Sequence, residues 1–203
     1  MRVLGTAAMT VACTLGWISS TAAEESIVFD DPEVYSLITT YYEAICSGDV
    51  DTLRTLTDGD EVDFETITEG AYYSEAYEYI STYSIPGPDE GSYVIFACND
   101  LRLKDIDTLA AGMSVFYAVT VDGQLQLAAG DWPYEYIAEQ QSRDEIQTLI
   151  STTEYWYSYA KATDPELAAF AESLIDEQDD ETGSVDEEAI ENANESVGES
   201  FGE

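Results

Sequence analysis

The chain has 203 residues, of which 43 are Asp or Glu, six are Lys or Arg and none is His, for a formal net charge of −37. Without histidine there is no Ser-His-Asp or Cys-His nucleophile, no imidazole zinc site and no imidazole proton shuttle. A charge of this sign and size repels phosphate backbones, which argues against nucleic acid as a partner.

The N-terminus has the pattern of an export leader over residues 1–23. Arg2 supplies the positive charge, Val3 to Trp17 are mostly apolar, and Ser20-Thr21-Ala22-Ala23 offer a small-residue cleavage site before Glu24. The apolar run is too short and interrupted to read as a membrane span, so none is expected after cleavage. Two alternatives stay open: an uncleaved amphiphilic start, and lipidation at Cys13, whose preceding Thr10-Val11-Ala12 partly matches a lipobox. Cleavage leaves a domain at residues 24–175 and a tail at 176–203. Cys46 and Cys98 survive in it, either as one disulfide or as two buried free thiols.

Asp31-Pro32-Glu33 is a helix opening: an N-cap, a first-turn proline and an acid at the positive helix end. Val34, Leu37, Ile38, Tyr41 and Ile45 then make one apolar stripe. Gly48 ends the helix, and Asp49 caps a second carrying Val50, Leu53 and Leu56. The acidic loop from Asp58 to Glu65 is not an EF-hand loop, because Val62 stands at a ligand position and the turn glycine is misplaced. A helix is expected near 62–69 and a strand near 76–84, broken by Pro86-Gly87-Pro88.

Residues 93–130 form the clearest β region. Tyr93 to Cys98 is β-rich, and the alternation from Leu101 to Ile106 extends it into one bent strand with a bulge near Asn99-Asp100. Asp105 and Asp107 would share a face of that strand. Met113 to Val121, the Asp122-Gly123 turn and Gln124 to Ala128 read as a hairpin, giving an antiparallel meander. A short helix follows over 134–140. Ser142-Arg143-Asp144-Glu145 fits a capping box before a long helix with Ile146, Leu149, Ile150, Thr153, Tyr157 and Ala160 on one face. Asp164-Pro165-Glu166 opens a last helix through Ile175. Twelve of the 28 residues from Asp176 onward are acidic and none is basic, which predicts a disordered tail. Its Asn194-Glu195-Ser196 sequon reads as a chance match.

No motif supports catalysis. Carboxylates are everywhere, but a glycosidase needs two of them about 5–9 Å apart in a cleft. The only lysines, Lys104 and Lys161, lie in no recognisable setting. Neither a metal nor a cofactor is expected. The acidic balance reads as a hydrated surface or as a patch for a cationic partner.

The order of elements, with Ala44-Ile45-Cys46-Ser47-Gly48-Asp49 at the first helix end, resembles the nuclear transport factor 2-like superfamily. Gly91-Ser92-Tyr93-Val94-Ile95-Phe96, Asp105 to Met113, Phe116-Tyr117-Ala118-Val119 and Asp122-Gly123 are similar to extracytoplasmic domains of gut-type Firmicutes. The resemblance covers about residues 30–175. It departs at Ala111, where proline is expected, and in the acidic tail, which replaces any second module. It implies an α+β fold in which a cone-like curved antiparallel sheet packs against N-terminal and C-terminal helices. It also implies a secreted or envelope-associated protein of a Gram-positive bacterium, and the superfamily's Asp-His pair cannot be carried over. The expected function is a non-enzymatic binding or accessory domain for a small molecule or protein. Any pocket would lie between the sheet's concave face and the first helix, with Tyr41, Tyr93 and Tyr117 as its lining. The rival readings are a carboxylate-dependent hydrolase and a module that pairs into a homodimer.

Overall fold

A computed structural model describes residues 26–59 and 62–182. The leader with Cys13, and the chain from residue 183 with its sequon, lie outside the described residues. Those described form six helices and a six-stranded sheet, an α+β fold. In order they are β1 (Val28–Phe29), α1 (Pro32–Ser47), α2 (Val50–Leu56), β2 (Thr57–Asp58), α3 (Phe64–Gly70) and β3 (Ser74–Pro86). Then come β4 (Ser92–Leu103), β5 (Ala110–Val121), β6 (Gln124–Ala128), α4 (Tyr134–Gln141), α5 (Asp144–Thr163) and α6 (Pro165–Thr182). The sheet order is β1-β3-β4-β5-β6-β2, with every pair antiparallel except β2 and β6.

Local chemistry sets the helix ends. The Asp31 carboxylate accepts from the Glu33 and Val34 amides at 3.0 and 3.3 Å, so Pro32 enters the first turn with nothing left unmet. Gly48 stops α1 in the left-handed region at φ 70°, where the Gly48 and Asp49 amides close onto the Ile45 and Ala44 carbonyls. Asp49, Asp63 and Asp164 cap α2, α3 and α6. Asp122 and Gly123, at φ 51° and 82°, make the tight turn joining β5 to β6.

Alternation along β4 splits the core in two. Ile95 and Ala97 face α1, joining Val34, Leu37, Ile38 and Tyr42. Val94 and Phe96 face the other way, against Ile137 of α4 and Ile146 of α5. Ala44, Ile45, Leu53 and Phe64 seat α2 and α3 on α1, and Leu103, Ala110, Ala160 and Leu167 anchor α6 over the end of β4 and β5.

Several expectations are corrected. The bulge is on β3, not β4: Glu78 pairs with Asp100 and Ser81 with Cys98, so Tyr79 and Ile80 both oppose Asn99. An extra residue in β4 would break two ladders. On β3 it breaks one, because β1 covers only Tyr83 and Ser84. β4 also ends at Leu103, and Asp105 turns at φ 64°, so Asp105 and Asp107 share no strand face. The capping box does not form. Ser142 completes α4, donating its hydroxyl to the Glu139 carbonyl at 2.6 Å, and Arg143 precedes α5 without a side-chain cap. With only two residues between the helices, Ser142 cannot serve both. Finally, α6 runs to Thr182, seven residues past the expected end at Ile175. Glu and Gln are good helix formers, and extending an existing helix needs no new nucleus.

Candidate functional site

A second stripe runs along α1 beside its core stripe. Tyr35, Thr39, Tyr42 and Cys46 follow one another at i, i+4, i+7 and i+11, and they form one wall of a groove of about 610 Å³ between α1 and β3. Glu75, Tyr77 and Tyr79 of β3 form the other wall, with Glu43 at the α1 rim. The floor is rigid. Tyr42 is 3% exposed, stacks on Tyr77 at 4.0 Å between ring centroids, and donates its hydroxyl to Asn99 Oδ1 at 3.3 Å. Burial pushes the Tyr42 phenol far above its usual range, against the opposing pull of the Ser114 hydroxyl. Burial also raises Tyr77, with the Cys46 thiol adding to it, and raises Tyr41. These phenols stay neutral near pH 7, so they act as aromatic surface and hydrogen-bonding groups.

Tyr79 is the conspicuous residue of this groove. It is 77% exposed, yet its backbone sits at φ 50°, the left-handed region that aromatic residues avoid. The other non-glycine residues at positive φ are Asp30, Asp105, Asp122 and Asp131, a type that tolerates the conformation. A strained, exposed tyrosine at the mouth of a tyrosine-lined groove is a feature worth a functional test.

The three tyrosines expected to line one pocket do not meet. Tyr41 and Tyr93 pack on the α1 side of the sheet, where Tyr41 makes an edge contact with Phe116 at 5.5 Å. Tyr117 is 4% exposed and belongs to the core on the α4–α5 side. It lines a separate cavity of about 560 Å³ with Asp58, Asp89 and Asp131, its hydroxyl donating to Asp89 Oδ2 at 3.3 Å. Tyr93 neighbours Val94, and adjacent strand residues point to opposite faces, so one pocket could not hold Tyr93 and the residue opposite Val94 together. Among the described residues no group of three or more acids or cysteines is arranged to hold a metal ion. None of their helices is long and apolar enough to cross a membrane.

Cys46 and Cys98 are unbridged, and each is half-buried rather than buried. Cys98 follows Val94 and Phe96 onto the α5 side, where the Thr153 hydroxyl reaches it, whereas Cys46 lies on α1 beyond the opposite face. The sheet separates them, and a bridge needs alpha-carbons within about 7 Å. Burial raises both thiols, offset by Lys104 at Cys46 and by Thr153 at Cys98, which leaves them protonated and poorly nucleophilic.

On the α5 side, burial and then the neighbouring Glu78 carboxylate raise Asp100 above the ordinary aspartate value of 3.8. The unfolded chain therefore releases this proton at lower pH than the folded one. Stability attributable to Asp100 is undiminished below the unfolded value and falls as pH climbs through it toward the folded value. Asp100→Asn is expected to raise the melting temperature at pH 7, with the gain gone by about pH 3. Thermal melts across pH check this, and an equal or lower melting temperature at pH 7 would contradict it.

No family model, curated protein or solved structure matches the chain.

Proposed function

We propose that this chain is an exported, non-enzymatic binding domain whose α1–β3 groove takes an organic cation, an ammonium or guanidinium group. The observation that carries the reading is the groove itself: four tyrosines on two walls, with Glu43 and Glu75 at the rim. Aromatic faces attract cations through their quadrupole, by about 0.5–2 kcal/mol per contact depending on desolvation. The net charge of −37 supports it further, since the long-range field concentrates cations at the surface. The leader pattern supports export. The bulge at Tyr79 and Ile80, a second register shift on β3 between Ser74 and Ala76, and the packing of α1 on one sheet face support a cone-like arrangement of the nuclear transport factor 2-like kind, since bulges favour bending of a strand. A hydrolase reading would gain from two buried acids facing a cleft. Among the described residues the buried polar side chains are Ser74, Thr82, Ser84, Ser92, Asn99 and Gln140.

Tyr79 supplies the test. Asparagine tolerates the left-handed region, so Tyr79→Asn is expected to raise stability by about 1 kcal/mol while removing one aromatic wall. Titration of choline and of arginine methyl ester, followed by calorimetry, is expected to show binding to the parent chain, weakened about fivefold or more in Tyr79→Asn. Glu75→Gln is expected to weaken it too, with stability unchanged. Failure of both cations to bind, or equal affinity in Tyr79→Asn, would end this reading.

A further inference from the structure

The groove leaves the opposite side of the molecule unexplained. On α5 the face turned away from the core carries Tyr155, Trp156 and Tyr159, which are 61%, 53% and 54% exposed. The three rings form one cluster: Trp156 meets Tyr155 and Tyr159 edge to face at 5.2 and 6.0 Å, and Tyr155 stacks on Tyr159 at 6.5 Å. α5 already buries a different stripe through Ile146 and Ala160, so this cluster is surplus to the core. Beside it is a cleft of about 360 Å³, lined by Trp156, Tyr159 and Thr163 on one side and by Asp100, Thr108 and Ala111 on the other.

We propose that this cleft is a saccharide-binding site, with Trp156 and Tyr159 as its stacking surface and Asp100 as the acceptor for sugar hydroxyls. A sugar ring has an apolar C–H face and a rim of hydroxyl donors, and the cleft presents the complement of both. The Asp100 side chain is partly buried and has no hydrogen-bond donor among the described residues. A purely apolar occupant would cover that carboxyl and leave it unmet, at a cost that polyol hydroxyls avoid. Glu78, paired with Asp100 across the strands, is bound at 2.6 Å by the Arg102 guanidinium, so its charge is already met; a cation on Asp100 is the competing occupant, which the salt dependence of binding separates from a neutral sugar. The site does not depend on the groove, and either can fail alone.

The test titrates the full chain with short neutral β-linked oligosaccharides of glucose, xylose and N-acetylglucosamine, reading affinity by calorimetry in every variant and, in the parent chain, the Trp156 indole resonance by NMR. At least one series is expected to shift it saturably, with an affinity insensitive to added salt. Trp156→Ala is expected to abolish binding, and Asp100→Asn to weaken it about tenfold. Tyr72→Ala, an exposed aromatic elsewhere at 71%, is expected to leave it unchanged. Trp156 is more than half exposed, so its variant folds, and circular dichroism confirms that. The proposal is overturned if no sugar moves the resonance, if binding survives Trp156→Ala, or if choline binds there in a salt-sensitive way. It is equally overturned if sedimentation shows a dimer that Trp156→Ala dissociates, since the cluster is then a protein interface.

Discussion

Phe96→Ala is expected to lower unfolding free energy by about 3–5 kcal/mol, a large share of the roughly 5–15 kcal/mol that holds a domain together. Phe96 is 0% exposed and lies mid-strand in β4, paired with Tyr83 of β3 and Val115 of β5. Its ring is the large side chain around which Ile85, Val94, Tyr117, Ile137 and Ile146 assemble. Truncation loses the transfer energy of the ring and leaves a void, because strands paired on both sides cannot move in to fill it. Urea unfolding checks this through the midpoint, with the slope expected to be unchanged. A loss under about 1 kcal/mol, typical of a surface site, would mean that α4 and α5 are not fixed on the sheet.

The parts of the fold legible in the sequence were those set by local chemistry. Asp31-Pro32-Glu33 and Asp164-Pro165-Glu166 both open helices, Gly48 ends one, and Asp122-Gly123 turns one strand into the next. Each of these is decided within four residues by hydrogen bonds the chain makes with itself. What the sequence did not disclose was decided by distant partners. The bulge belongs to β3 because β4 is paired along both edges, a fact of sheet order. Ser142 was claimed by the helix before it rather than the one after, a competition that a four-residue motif does not register.

The groove was half legible. The stripe of Tyr35, Thr39, Tyr42 and Cys46 has helical spacing and could have been read beside the core stripe next to it. The pocket expected between the concave face of the sheet and the first helix takes Tyr41, Tyr93 and Tyr117 instead, which lie on two different faces. The Asp122-Gly123 turn fixes which residues of β5 and β6 share a face, but whether Tyr93 and Tyr117 do depends on the register of β4 against β5, which is set across the longer connection over residues 104–109. The Tyr155, Trp156 and Tyr159 cluster is illegible in the sequence for a related reason. The apolar periodicity of α5 accounts for one face of that helix and says nothing of aromatics on the other.

Tyr42→Ala is the second large effect, expected to cost about 3–5 kcal/mol. This side chain belongs both to the α1 core and to the floor of the groove. Its truncation removes the stack on Tyr77, the edge contact with Phe116 at 6.0 Å and the hydrogen bond to Asn99. Tyr42→Phe separates these terms. It keeps the ring and deletes the hydroxyl, leaving Asn99, itself 6% exposed, with an acceptor that water reaches poorly. The cost of that one change is expected to be about 1–3 kcal/mol. Adding Asn99→Leu to Tyr42→Phe removes both polar partners, and the double variant is expected to recover part of the loss, read as a positive coupling in a double-mutant cycle. Additive single costs would mean that the Tyr42 hydroxyl and Asn99 do not satisfy each other, and that α1 is held on the sheet by apolar packing alone.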